Sequence, residues 1–157
     1  MEKSLTVSRT IERPLSSVVA TMADDPGEVL ANATKAAVSK ANEVIVHLEG
    51  KWAWFDLDES VQAEVGTLEE DRSMARIPLS WKADKHKRLL PSLQGHLGFY
   101  SLSAKHTELS YTATYAPPLG LFGGIEDFLV GRRVLDAVLG RFLEEVVSHL
   151  EVEIPSD

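Results

Sequence analysis

Arg132 and Asp136 stand four residues apart in a C-terminal segment whose neighbouring positions on the same helical side are apolar. Residues at that spacing meet on a helix surface, and an unpaired charge on a buried face is costly. The pair therefore has two readings. It is a structural ion pair, with Arg132 free to snorkel to a rim, or it is the polar anchor of an interior site. In the second case the planar guanidinium of Arg132 orients a carboxylate, carbonyl or phenolate. Arg before Asp is the less favourable order along a helix, so local helix stability does not account for the pair. Tyr111 and Tyr115 share one side of a strand-like run, where their hydroxyls serve either as hydrogen-bonding groups of an apolar pocket or as core tyrosines bonded to backbone. Trp81, Leu97, Phe99 and Phe128 are the apolar lining expected around them.

Other chemistries find less support. The five histidines, His47, His86, His96, His106 and His149, show no HExxH or HxH spacing, so no metal site is expected. His47 and His96 alternate with apolar neighbours, which points both toward solvent. Gly120, Gly123 and Gly124 precede a helix, but Ile125, Glu126 and Asp127 follow where a phosphate loop needs Lys and Ser or Thr. Two carboxylates in a first helical turn repel an anion. No cofactor is expected. With no cysteine, the chain has neither disulfides nor thiol chemistry, in keeping with a reducing compartment. Sixteen basic against 24 acidic residues give a net charge of −8, which argues against nucleic acid and against an anionic membrane surface as partners. The basic run Asp84 to Arg88 is a local exception and reads as a solvated loop. No stretch is long and apolar enough for stable membrane insertion, and the N-terminus lacks the pattern of a signal peptide, so a soluble cytoplasmic protein is expected.

The elements that must position these residues follow from periodicity. Leu5, Val7 and Ile11 repeat every two residues or so and predict a first strand. Pro14 opens a short helix to about Met22, and an Ala-rich stretch from Gly27 to Ala41 predicts a second, ended by Asn42. Glu43 to Gly50, Trp52 to Leu57 and Val61 to Val65 have strand composition. The polar run Glu69 to Ser73 predicts a turn into a strand at Met74 to Trp81, and Ser92 to Leu102 and Thr107 to Ala116 predict two more. Pro117 and Pro118 then stop the sheet. The segment from Ile125 to about Val152 lacks proline and predicts one helix on the order of 42 Å long, against a radius of gyration of about 15 Å for the whole chain. Its apolar residues occupy an arc of about 140°. Such a stripe needs a broad apolar partner, and the antiparallel sheet supplies one. Gly131 and Gly140 inside this helix allow a bend or a close approach. Val130, Val134 and Val138, on the back of the helix, read as exposed and hint at a partner surface, monomer and homodimer both remaining open.

This order of elements resembles the START-like, or SRPBCC, helix-grip superfamily, which includes polyketide cyclases and lipid-transfer domains. The resemblance is densest from Thr107 to Leu143. There Thr107-Glu108-Leu109, the stretch Tyr115 to Gly120, Gly123, Asp127, Arg133 and Phe142-Leu143 are similar to a mostly uncharacterised bacterial branch, and Pro78 to Ala83 is a second shared segment. The expected fold is thus α+β: a single START-like domain over residues 1–157, with a curved antiparallel sheet of six or seven strands wrapped around a long C-terminal helix and two short helices after the first strand. The resemblance implies a cavity between sheet and helix that admits an apolar or amphipathic small molecule. It carries over no catalytic residue, because members use different residues or do no chemistry. Beside ligand binding stand a cofactor-independent cyclase or dehydratase using the same cavity, with Arg132 stabilising an oxyanion, and a protein-interaction module whose cavity has collapsed.

Overall fold

The computed structural model describes residues 3–45, 62–82, 92–115 and 125–156, and for 38–45, 62 and 125–134 it describes the backbone alone. Among the described residues nine elements follow one another: β1 (Lys3–Ile11), α1 (Leu15–Asp24), α2 (Pro26–Ile45), β2 (Gln62–Val65), β3 (Glu69–Asp71), β4 (Met74–Lys82), β5 (Leu93–Ser103), β6 (His106–Tyr115) and α3 (Ile125–Glu153). The six strands form one antiparallel sheet in the order β1-β6-β5-β4-β2, with β3 also paired to β4. The first strand thus lies beside the last, and α3 packs against both. This is the expected α+β helix-grip arrangement.

Alternation decides which face of the sheet α3 can cover. On β4, Ala75, Ile77, Leu79 and Trp81 are buried while Arg76, Pro78 and Lys82 are exposed, the period of a strand with one wet face. Strand register carries the apolar positions across the sheet in rows. Trp81 pairs with Leu93 and Leu93 with Tyr115, and further along the strands Ile77 pairs with Leu97 and Leu97 with Tyr111. Ala75, Phe99 and Leu109 form the next row. Onto these rows α3 lays Leu135, Leu139, Phe142, Leu143, Val146 and Leu150, all buried. Gly95 sits in the middle of the sheet, where a Cβ would collide with the Thr112 carbonyl and Ala113, so this close approach of β5 and β6 requires glycine.

The far end of α3 is held from outside its own sequence. Its last turn contains no basic residue, so its terminal carbonyls need donors from elsewhere. Arg13, just past β1, donates from Nε to the Ile154 carbonyl and from Nη2 to the Glu151 carbonyl, both at 2.8 Å. The Thr107 hydroxyl in turn donates to the Arg13 carbonyl at 2.8 Å. The cation meets the negative end of the helix dipole, and β1, β6 and α3 are tied at one corner.

Several expectations change. The second helix runs 20 residues, through Glu43, Val44 and Ile45, which the alternation of Val44, Val46 and Leu48 had assigned to a strand. The helix packs along α3. Part of the polar run after Leu68 pairs with β4 as β3, leaving only Arg72 and Ser73 as the turn. Val138 is buried, not exposed, at 1% accessibility. It lies about 110° from the middle of the apolar arc, on a helix that α2 also covers. The expected strands at 46–57, the loop at 84–88, His47, His86, Trp52, Trp54 and the Pro-Pro and glycine segment at 117–124 lie outside the described residues.

Candidate functional site

Three aromatic side chains meet where α3 crosses the inner face of the sheet. Trp81 of β4 stacks on Tyr111 of β6 with ring centroids 6.3 Å apart and planes 25° apart. Phe142 of α3 meets Trp81 edge-on at 5.1 Å and 89°, and Tyr111 at 6.4 Å and 66°. Offset and edge-to-face arrangements of this kind are favoured by the ring quadrupoles. Leu97 lies in register between Ile77 and Tyr111, Phe99 in the next row, and both are fully buried. Tyr115 is buried toward the other end of the strands, in the row of Leu93 and Trp81.

The polar atoms of this cluster have unequal fates. Tyr111 reaches across β5 and donates its hydroxyl proton to the Leu79 carbonyl of β4 at 2.9 Å. Burial pushes its phenol well above the usual tyrosine range, because the charged tyrosinate cannot be solvated there. Trp81 is 2% exposed, yet its indole Nε1–H has no acceptor. A buried donor left unpaired costs about 1–3 kcal/mol, so this atom marks a poorly satisfied point of the interior.

Of the residues that spacing singles out, Trp81, Tyr111, Tyr115, Leu97 and Phe99 come together on the inner face. Asp136 does not join them. It is exposed, whereas the wheel projection placed it inside the apolar stripe. One turn on, Gly140 is covered by the guanidinium of Arg9, with Nη2 2.7 Å from where a Cβ would stand, and a further turn on Glu144 pairs with the same Arg9 at 3.6 Å. Asp136, Gly140 and Glu144 therefore follow the side of α3 that borders β1. Arg132 and Phe128 belong to the first three turns of α3. At about 1.5 Å per residue, Arg132 lies some 15 Å along the axis from Phe142, so it and the aromatic cluster occupy different levels of the helix. Phe142 is the member that the residue types did not single out. It was one of many apolar residues on the stripe, and only its level along α3 sets it apart.

His96 lies half-buried on the outer face, between Thr112 and Pro78 in register. Its imidazole is held below the ordinary histidine range, first by burial and then by the Arg76 guanidinium. Among the described residues no three His, Asp or Glu side chains gather as metal ligands, and no helix is long and apolar enough to cross a membrane. An open cleft of about 420 Å³ lies at the other end of the sheet, between the start of α1 (Leu15, Ser16, Val19), the β3–β4 turn at Arg72 and Ser73, and the β5–β6 turn at Ser103.

No protein-family model and no curated protein matches the sequence. Solved structures do resemble it over nearly its whole length. The Zhui aromatase/cyclase from Streptomyces sp. R1128 is 14% identical, with 99% of this chain and 98% of that chain covered and a TM-score of 0.48. A protein from Thermus thermophilus is 13% identical over 98% and 100% of the two chains at a TM-score of 0.49. Ara h 8.0201 is 10% identical over 96% and 98% at 0.45. The assignment to a START-like helix-grip fold stands on this chain's own topology: a first strand beside the last, two helices between β1 and β2, and a long C-terminal helix across the inner face.

Proposed function

We propose that this chain, acting as one domain over residues 1–157, binds an apolar or amphipathic small molecule between the inner face of its sheet and α3. The observation that carries this reading is the aromatic cluster of Trp81, Tyr111 and Phe142. Large, rigid rings with a single unsatisfied polar atom suit the lining of a small-molecule site, which is mostly apolar with a few placed polar groups. Leu97, Phe99 and Tyr115 extend that lining along the sheet, and Phe128 extends it by its position on α3. In the same reading Arg132 is the anchor for a polar end of the ligand, and Asp136, at the solvent border, sits at the entrance. The absence of cysteine and the charge of −8 fit a cytoplasmic protein with no nucleic-acid partner.

A catalytic variant of this reading, a cofactor-independent cyclase or dehydratase, needs an acid or base in the pocket with its proton affinity tuned near neutrality. Tyr111 does not meet that need, because its hydroxyl is bonded to Leu79 and its phenol is pushed away from neutrality. This removes Tyr111 as the proton carrier of such a reaction, and binding needs none. Native mass spectrometry of the protein as purified from cells tests it. A retained small molecule is expected, released on denaturation. Persistently ligand-free protein, together with no response of its spectra to aromatic probes, would overturn the reading.

A further inference from the structure

The turn between β5 and β6 joins a hydroxyl to an imidazole. Ser103, the last residue of β5, stands opposite His106, the first of β6, in register, and Ser103 Oγ lies 2.9 Å from His106 Nδ1. The Lys105 amide N–H donates to the same oxygen at 3.3 Å. With that amide on a lone pair of Oγ, the hydroxyl proton is left for the imidazole, which accepts at Nδ1 as its Nε2–H tautomer. A serine hydroxyl donating to a histidine nitrogen is the contact from which nucleophilic catalysis starts. The amide beside it favours negative charge on the oxygen.

Ser103 also lines the open cleft of about 420 Å³, so a molecule seated there meets its hydroxyl. Another wall is the start of α1. Leu15 and Ser16 line the cleft, and their amides precede the first bond of the helix, made by the Val18 N–H to the Pro14 carbonyl at 3.1 Å. No side chain caps this end and its first turn holds no acid, so its partial positive charge is available to a carbonyl oxygen that gains charge. Leu15, Val19 and Met74 supply apolar surface, while Arg72 is offset by Glu70 and Asp71. Walls of mixed charge suit a neutral substrate.

We propose that Ser103 and His106 are the nucleophile and general base of an acyl-transfer site in this cleft, separate from the interior site, and that its substrate is a small neutral carboxylic ester. Ser103 Oγ adds to the ester carbonyl as its proton passes to His106 Nδ1. The adduct collapses by breaking the bond to the alcohol oxygen, and the alcohol leaves with the proton from His106. Water then adds to the acyl-serine, its proton passing to the same nitrogen, and the acid departs as Ser103 regains its hydrogen. Both side chains are exposed, where water screens the charges that form, so the acyl-serine forms and breaks down slowly.

The full chain mixed with 4-nitrophenyl acetate tests the assignment. A burst of about one equivalent of nitrophenolate is expected, with an acetyl group found on Ser103 by peptide mass spectrometry. Ser103→Ala should lose both. His106→Gln, which keeps a hydrogen-bonding side chain in the turn, should slow acetylation about 100-fold. Wild-type protein with no acetyl group on Ser103, or acetylation of Ser103 as fast in His106→Gln as in wild type, would overturn the proposal. Should Ser103→Ala disturb the turn, Ser103→Cys keeps a nucleophile in place and should carry the acetyl group at residue 103.

Discussion

The Tyr111 hydroxyl donates to the Leu79 carbonyl at 2.9 Å, joining residues 32 apart in sequence and two strands apart in the sheet. This bond takes one tyrosine out of the pool of groups that can do chemistry and makes it a brace between β6 and β4. It also fixes the plane on which Trp81 stacks. Removing the hydroxyl leaves a buried carbonyl short of a partner, so Tyr111→Phe should cost about 1–2 kcal/mol, read as a lower midpoint of urea unfolding at unchanged slope.

The same burial has a signature at high pH. Tyr111 keeps its proton in the folded state to a higher pH than in the unfolded chain. Its contribution to stability is therefore complete below the unfolded value of about 10 and is lost as pH rises above it. Wild-type stability should fall more steeply than that of Tyr111→Phe above about pH 10. Tyrosinate absorbance below that pH should be the same in the two proteins, and a matching drop in the variant would refute the buried state of this phenol.

Phe142 is the keystone of the aromatic cluster from the helix side, fully buried against two rings. Phe142→Ala should cost about 3–5 kcal/mol through lost transfer energy and the cavity left behind. Phe142→Leu, which keeps more volume, should cost less than half of that. Near-ultraviolet circular dichroism reads the same event, because Trp81 loses its edge-on neighbour.

Arg13 caps a helix whose end lies 141 residues away. Both of its bonds reach carbonyls at the C-terminal end of α3, and bonds from a charged donor are worth about 1.5–3 kcal/mol each before solvent screening. Arg13→Met keeps the stem and removes the fork. It should lower stability by about 1–3 kcal/mol and speed amide exchange at the C-terminal end of α3 more than in β4 or β5. Arg13→Lys should restore little, since a point charge cannot serve both carbonyls.

His96 should titrate below the reference value of about 6.5 in NMR. Burial is the larger cause and Arg76 the smaller, so Arg76→Gln should raise its midpoint only in part. A lowered folded value means that the unfolded chain takes up the proton first. Stability from this group is thus present above about pH 6.5 and lost as pH falls through the folded value. His96→Gln should flatten that part of the stability profile.

Two glycines of β5 separate backbone from side-chain crowding. A methyl group at Gly95 meets the Thr112 carbonyl and the Ala113 backbone, neither of which can move without breaking the β5–β6 ladder. At Gly98 it meets the ring of Tyr100, which is free to rotate away. Gly95→Ala should therefore be much the more destabilising of the two, and equal losses in thermal melting would contradict this packing.

Much of the architecture is written locally. Alternation along Met74 to Trp81 and Thr107 to Tyr115 reports the pleat of the strand itself, so the inward placement of Trp81, Tyr111 and Tyr115 could be read without knowing the partner strands. The 29-residue span of α3 was legible for the same reason, as a proline-free stripe at helical period. What lay beyond reach depends on which surface meets which. Asp136 shares the angular sector of buried residues, yet it is exposed on the side of α3 that borders β1. Val138 is buried on a helix against which a second helix, running on through Ile45, also packs. Arg13 finds Ile154, Tyr111 finds Leu79, and Trp81 finds no acceptor only once strand order has brought distant segments together. Periodicity is a property of one backbone, whereas burial and hydrogen-bond satisfaction belong to the assembled set.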